Sequence, residues 1–229
     1  THQELLYYQT NGFDVVKRSD VLQLITESSF NICIAGTHGK TTITTMVAHI
    51  LRDSGYGCNA FLGGIAVNYG TNFWASDNNV CVVEADEYDR SFLKLNPDVA
   101  IITAMDADHL DIYGTANAME QAFIDFSGKI KPNGLLVSRF GLKRAGALKG
   151  DRQATYSLQN ESADVYAENI KMMNGSYEFD VVWGEERIET IRLNMGGMHN
   201  VENAVAAIAV ASSLEIDTEK IKAAVASFQ

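Results

Sequence analysis

The chain has 229 residues, 46% of them hydrophobic, and a formal net charge of -11. That is enough apolar material for one large core, or for one domain plus a fragment, and it argues against disorder. No run of Lys or Arg interrupts the acidic balance, so the electrostatic footprint of a nucleic-acid or anionic-membrane binder is missing and any anionic ligand must be held by a local device.

The longest apolar runs, such as 99–104, fall far short of the ~20 residues a membrane-crossing helix needs. The first eight residues include Glu4 and lack both a basic start and a small-residue cleavage site, so they do not read as a signal peptide. Three cysteines, Cys33, Cys58 and Cys81, sit in or beside apolar segments. Their odd number and wide spacing suit buried thiols and predict a reducing cytoplasm. The chain opens on Thr1 and closes on Phe228-Gln229 with no helix stop signal, which predicts a piece of a longer protein.

In chain order, residues 4–27 read as a helix, a short strand at 13–17, and a second helix with Ser19 or Asp20 as its N-cap, together the end of a preceding unit. From Asn31 the pattern changes to short, continuously apolar runs at 32–35, 80–83, 99–104 and 135–138, with helices expected at 40–54 and 118–130. Such strands alternating with helices predict an α/β fold: a phosphate-loop-type, mostly parallel sheet flanked by helices. Residues 163–195 alternate polar and apolar, with turn signals at Asn174-Gly175 and Gly184-Glu185, and predict a small antiparallel meander attached to that sheet. An Ala/Val-rich helix at 201–214 and a last helix at 218–227 follow.

The run at 32–35 leads into Gly36-Thr37-His38-Gly39-Lys40-Thr41-Thr42 and then a helix. Strand, glycine loop and helix in that order form a phosphate cradle. Loop N–H groups and the helix N-terminus face the phosphates, the glycines allow close approach, Lys40 neutralises the terminal oxygens, and Thr41 offers its hydroxyl to Mg²⁺. Ile34 stands where the general phosphate-loop pattern has its first glycine, so this loop is a shorter variant. The run at 80–83 ends in Glu84-Ala85-Asp86-Glu87, and the next strand in Asp106-Ala107-Asp108-His109-Leu110-Asp111. Taken alone, each is a solvated acidic loop. Ending two strands of one sheet, they converge on the edge where ligands bind. Glu84 is there a candidate Mg²⁺ ligand, and His109 a second metal or phosphate ligand oriented by Asp108 or Asp111.

These segments, together with His199-Asn200-Val201-Glu202-Asn203-Ala204, resemble the motifs of the Mur ligase family and its relatives folylpolyglutamate synthase and cyanophycin synthetase, in the same order across residues 36–204. The resemblance implies an ATP-dependent, amide-bond-forming ligase. It carries Gly36, Thr37, His38, Gly39, Lys40, Thr41 and Thr42 over as ATP-phosphate residues, and His199, Asn200 and Asn203 as lining of the adenine pocket. Thr41, Glu84 and His109 become metal ligands, and Lys40, Glu84 and His109 the catalytic set. For His199 and Asn200, capping of the following helix is a compatible structural role.

Within the family, Thr37-His38-Gly39, Gly63-Gly64, Gly70-Thr71-Asn72 and the 108–114 segment look most like the branch that joins L-alanine to UDP-N-acetylmuramic acid through an acyl phosphate in cell-wall synthesis. Gly64, Asn72 and Glu87 are then candidates for the sugar-nucleotide contact, with plain turns competing at Gly64 and Asn72. The likeness casts residues 1–27 as the end of an N-terminal UDP-binding domain and 28–229 as the central ATP-binding domain. No lysine occupies 121–126, and Lys129 and Lys131 lie too late, so the carbamylated lysine of some family members is not expected. Two other readings remain open: a ligase that recycles murein tripeptide, and a non-catalytic nucleotide switch or scaffold.

Overall fold

The computed structural model describes residues 2–106, 108 and 110–229, apart from the side chain of Leu110. Its elements begin with helices α1 (Gln3–Thr10) and α2 (Arg18–Thr26), strand β1 (Phe30–Ala35), helix α3 (Lys40–Asp53), and strands β2 (Asn59–Ala66), β3 (Thr71–Trp74) and β4 (Val80–Glu84). They continue with β5 (Val99–Ile102), α4 (Leu110–Tyr113), α5 (Ala116–Ser127), β6 (Leu135–Arg139), β7 (Arg152–Ser157), β8 (Val165–Met173), β9 (Ser176–Trp183), β10 (Glu186–Leu193), α6 (Met198–Ser213) and α7 (Thr218–Ser227).

All ten strands join one sheet in the order β10-β9-β8-β7-β6-β5-β1-β4-β2-β3. Every neighbour from β2 through β4, β1, β5, β6 and β7 to β8 is parallel. The antiparallel pairs lie outside that block, β3 on β2 at one edge and the β8-β9-β10 meander at the other. The meander is thus a continuation of the parallel sheet. Its turns fall at Asn174-Gly175 and Gly184, all three in the left-handed region that these residue types tolerate.

The central strands are apolar throughout because both faces are covered. Ile32 and Ile34 of β1 enter one core with α3, α6 and α7, whereas Cys33 and Ala35 enter a second core with α5. Strands β4 and β5 divide the same way, Val82 and Ile101 to the first core, Val83 and Ile102 to the second. Burial of each large side chain of this kind contributes about 1.5–3 kcal/mol. In α6 the residues that meet the first core are mostly alanine and valine, and their small size lets the helix lie close against α3 and the sheet.

The expected strand at 13–17 does not form. No neighbouring strand is there to pair with it, and Phe13 and Val16 remain 58% and 59% exposed. The N-cap of α2 is Lys17, not Ser19 or Asp20. Asp20 sits at the third helical position and its carboxylate accepts from the Lys17 N–H at 3.0 Å, the reciprocal half of a capping box. Strands β2, β3 and β7 are found where no strand was expected, and β5 stops at Ile102 instead of residue 104. Helix α6 starts at Met198 with Gly197 as its N-cap residue, so His199 and Asn200 belong to its first turn and do not cap it.

One buried polar contact ties the C-terminal helix to the phosphate-loop helix. His49 of α3, 2% exposed, has Nε2 2.9 Å from the carbonyl oxygen of Ala224 in α7 and Nδ1 2.7 Å from the Tyr69 hydroxyl. A carbonyl only accepts, so Nε2 carries the proton and the Tyr69 hydroxyl donates to Nδ1: the neutral ring satisfies both. Burial lowers the pKa of His49, opposed in part by the hydrogen bond to Ala224 and by Asp53, while Arg52 adds to the lowering. Below the unfolded value near 6.5 the unfolded chain therefore binds more protons than the folded one. Stability is retained above about pH 6.5 and falls as pH drops through it. His49→Gln keeps a donor for Ala224 but cannot become charged, so melting curves taken from about pH 7.5 down to about pH 5.5 should show a smaller loss for the variant than for the parent chain. Equal losses would refute the assignment.

Candidate active site

The parallel strands β4, β1 and β5 lie side by side and end at one edge of the sheet, so the segments that follow them are neighbours in space. After β1 the chain must leave a buried strand and enter α3 within four residues. Gly36 makes this turn with φ 132, and a Cβ there would lie 2.1 Å from Thr103 Oγ1 and 2.8 Å from the Ala104 nitrogen. Gly39, at φ 77, is the N-cap residue of α3, and a Cβ on it would come within 2.9 Å of Asn203 Oδ1. No side chain caps α3, which leaves the first-turn N–H groups and the positive end of the helix dipole facing the loop.

The loop is held from the β5 side. The Thr37 N–H donates to the Ala104 carbonyl at 3.2 Å, the Thr103 hydroxyl donates to the His38 carbonyl, and the Asp106 N–H donates weakly to Thr37 Oγ1 at 3.4 Å. The exposed His38 ring has Nε2 3.6 Å from Asp106 Oδ2. Lys40 opens α3 and turns back over the loop, where its Nζ donates to the Gly36 carbonyl at 2.8 Å and to Glu87 Oε1 at 2.7 Å. Thr42, two residues further along the first turn, is half-buried.

From the β4 side comes Glu84. Thr41 donates its hydroxyl to Glu84 Oε1 at 3.0 Å, and the backbone N–H of Gly63 donates to Oε2 at 3.0 Å. A hydroxyl beside a carboxylate on an open sheet edge is an oxygen donor set suited to a hard divalent cation. Gly64 lies against Thr41, at 3.4 Å from a built Cβ to Thr41 Cγ2, so the Gly63-Gly64 stretch of β2 borders the site. Asn72 does not come near in the same way: it is exposed on edge strand β3, with β2 and β4 between it and β1. Glu87, expected at a substrate-facing surface, is 1% exposed and faces Lys40. His109 lies outside the described residues. Asp108 is exposed, its N–H pointing at Met119 Sδ, and Asp111 is exposed on α4. Among the described residues no group of three or more His, Cys, Asp or Glu side chains is gathered for a metal ion.

Beyond His38 and Gly39 the edge opens into a cavity of about 330 Å³ bounded by Thr103, Arg139, Tyr156, His199, Glu202 and Asn203. Asn203 donates to Asn200 Oδ1 at 3.3 Å, and Asn200 in turn donates to the Gly196 carbonyl at 2.7 Å, which fixes both amides. Arg139, at the end of β6, donates through Nε to Glu202 Oε1 at 3.0 Å across the cavity wall. The sequence pattern gave no signal for Arg139 or Thr103 as site residues, because each stands outside the glycine, acid and histidine clusters and enters only through the strand order; Glu202 lies within the His199–Ala204 motif but was given no role there.

The Mur ligase middle domain family matches residues 34–211. The UDP-N-acetylmuramate--L-alanine ligase of Phocaeicola vulgatus is 47% identical across the whole of this chain, which covers 50% of that relative. The solved UDP-N-acetylmuramate-alanine ligase from Thermotoga maritima superposes with a TM-score of 0.83 at 27% identity, over 98% of this chain and 51% of that one. A UDP-N-acetylmuramate:L-alanyl-gamma-D-glutamyl-meso-diaminopimelate ligase from Neisseria meningitides gives a TM-score of 0.82 over 98% of this chain and 74% of that one, and at 24% identity shares the fold. The chain spans about half the length of the curated relatives it matches. With its phosphate-loop turn, its acidic strand end and its His-Asn helix start all inside the matched segment, the chain belongs to the Mur ligase family, of which it carries the middle domain.

Proposed function

We propose that the protein is an ATP-dependent ligase that joins L-alanine to UDP-N-acetylmuramic acid in the cytoplasm. The observation that carries this reading is the open head of α3, where Lys40 lies over the Gly36 turn and Thr41 meets Glu84 at the end of β4. The 47% identity to an L-alanine ligase over the whole chain favours L-alanine over a murein tripeptide as the amine. Among the described residues no helix is long and apolar enough to cross a membrane. The three thiols are buried, with burial pushing that of Cys58 up to about 12, as suits a reducing compartment. Residues 1–27 are read as the end of a UDP-binding domain: α1 buries none of its residues and Tyr7 and Tyr8 stay exposed. Residues 28–229 are then the ATP-binding domain.

Mg-ATP supplies the phosphoryl group: the substrate carboxylate attacks its γ-phosphorus, ADP leaves, and an amine then displaces phosphate from the acyl phosphate. In this reading the N–H groups of 36–42 and the head of α3 bind the phosphates, and Lys40 stabilises charge that develops on the transferring group. Thr41, Glu84 and His109 would hold Mg²⁺, which supplies further charge stabilisation. His199, Asn200 and Asn203 orient the adenosine end, His199 and Asn203 from the wall of the adjoining cavity and Asn200 by accepting from the Asn203 amide.

Phosphate release from Mg-ATP by the intact protein should require both UDP-N-acetylmuramic acid and L-alanine, and Lys40→Met should lower it by on the order of a hundredfold or more. Release with tripeptide alone would shift the assignment to recycling, and tight nucleotide binding with no release in any mixture would leave a switch or scaffold.

Gly36→Ala should abolish ATP binding measured by titration calorimetry, because the new methyl meets the Ala104 backbone as well as Thr103. For the same reason Thr103→Ala should not rescue it; rescue would show that the side chain alone sets the limit.

A further inference from the structure

We infer that Glu87 is the positioning residue of Lys40: it holds the ammonium over the phosphate loop. This deepens the ligase reading and rests on it. The carboxylate is 1% exposed, a state in which a charge persists only with a close partner, and its partner is the Lys40 Nζ at 2.7 Å. Its other oxygen, Oε2, is buried with no hydrogen-bond partner among the described residues, so the lysine is what orients the carboxylate, and the carboxylate the lysine. The Lys40 side chain is 14% exposed and donates its second bond to the Gly36 carbonyl, inside the turn that makes the cradle.

The backbone of Glu87 is fixed independently of the lysine. The Tyr113 hydroxyl, 5% exposed, donates to the Glu87 backbone carbonyl at 2.6 Å. Burial pushes the Tyr113 pKa up to about 12, so that donor stays protonated. The Arg90 N–H closes the same turn by donating to the Glu87 carbonyl at 3.0 Å. An ammonium has three protons. Two are committed to Gly36 and Glu87, and the third is left for a phosphate oxygen. A lysine held this way is spared the search through the rotamers of a free four-carbon stem, and reaches the phosphate in one geometry.

The test is a double-mutant cycle in the intact protein with Glu87→Gln, Lys40→Met and the pair, read as ATP-dependent phosphate release and as melting temperature without nucleotide. Glu87→Gln is expected to lower kcat by about tenfold or more while changing the KM for ATP little, since the lost group orients without touching the ligand. In the Lys40→Met background the second change should cost nothing further. In the melts, Lys40→Met alone should be the least stable variant, because it strands a buried carboxylate, and Glu87→Gln should raise its melting temperature again. Additive losses in kcat, or a Glu87→Gln protein with unchanged kcat, would overturn the inference while Lys40 still proves essential. Phosphate release indifferent to Lys40→Met would overturn the ligase reading and this inference with it.

Discussion

The site depends on how the last residues of β1 are held. The carbonyl of Ile34 accepts from the Ala85 N–H at 2.8 Å and that of Ala35 from the Thr103 N–H at 3.0 Å, so the strand is pinned on both sides at the point where it ends. Because these bonds come from the segments just beyond β4 and β5, the same contacts that finish the sheet fix the Glu84 loop and the Thr103 loop relative to Gly36. The glycine then has no freedom to spare: its Cβ position is occupied by Thr103 and Ala104, just beyond β5. The cradle is thus a property of sheet pairing, and the loop sequence supplies what that pairing permits.

Much of this was legible without coordinates, for a physical reason. Strands β1, β4, β5 and β6 are covered on both faces and are written as unbroken apolar runs. The 36–42 turn is local, and its glycines, lysine and threonines are adjacent in the chain. The hairpin turns at 174–175 and 184 are equally local. What failed to show was structure set by neighbours. Strand β2 carries Gly63-Gly64, which weakens its strand signal, and it forms because β4 offers a parallel edge. Strand β7 has an exposed, polar start at Arg152-Gln153 and is drawn in by β6. The segment at 13–17 carries the opposite lesson: strand-forming residues without a partner strand do not make a strand.

The same division runs through the site. Glu84 and Lys40 could be named from their motifs, because each belongs to a local strand-end or loop pattern. The burial of Glu87 could not, since it lies three positions beyond Glu84 and only the tight turn closed by Arg90 and Tyr113 carries it back beneath the loop. Arg139 and Glu202 lie 63 positions apart and meet across the cavity only because α6 packs over the end of β6.

An acidic chain that is to hold a polyanion faces an electrostatic conflict, and the structure resolves it at short range. Of the two Lys or Arg side chains that border the loop and its cavity, each already has a carboxylate, Lys40 with Glu87 and Arg139 with Glu202. The attraction is left to fixed dipoles, the loop N–H groups and the uncapped start of α3. Such dipoles act over a few ångströms, whereas the net charge of -11 acts out to a screening length of about 8–10 Å. Attraction of an anion is therefore built at short range in the cradle, where a phosphate can meet several N–H groups and the one ammonium together.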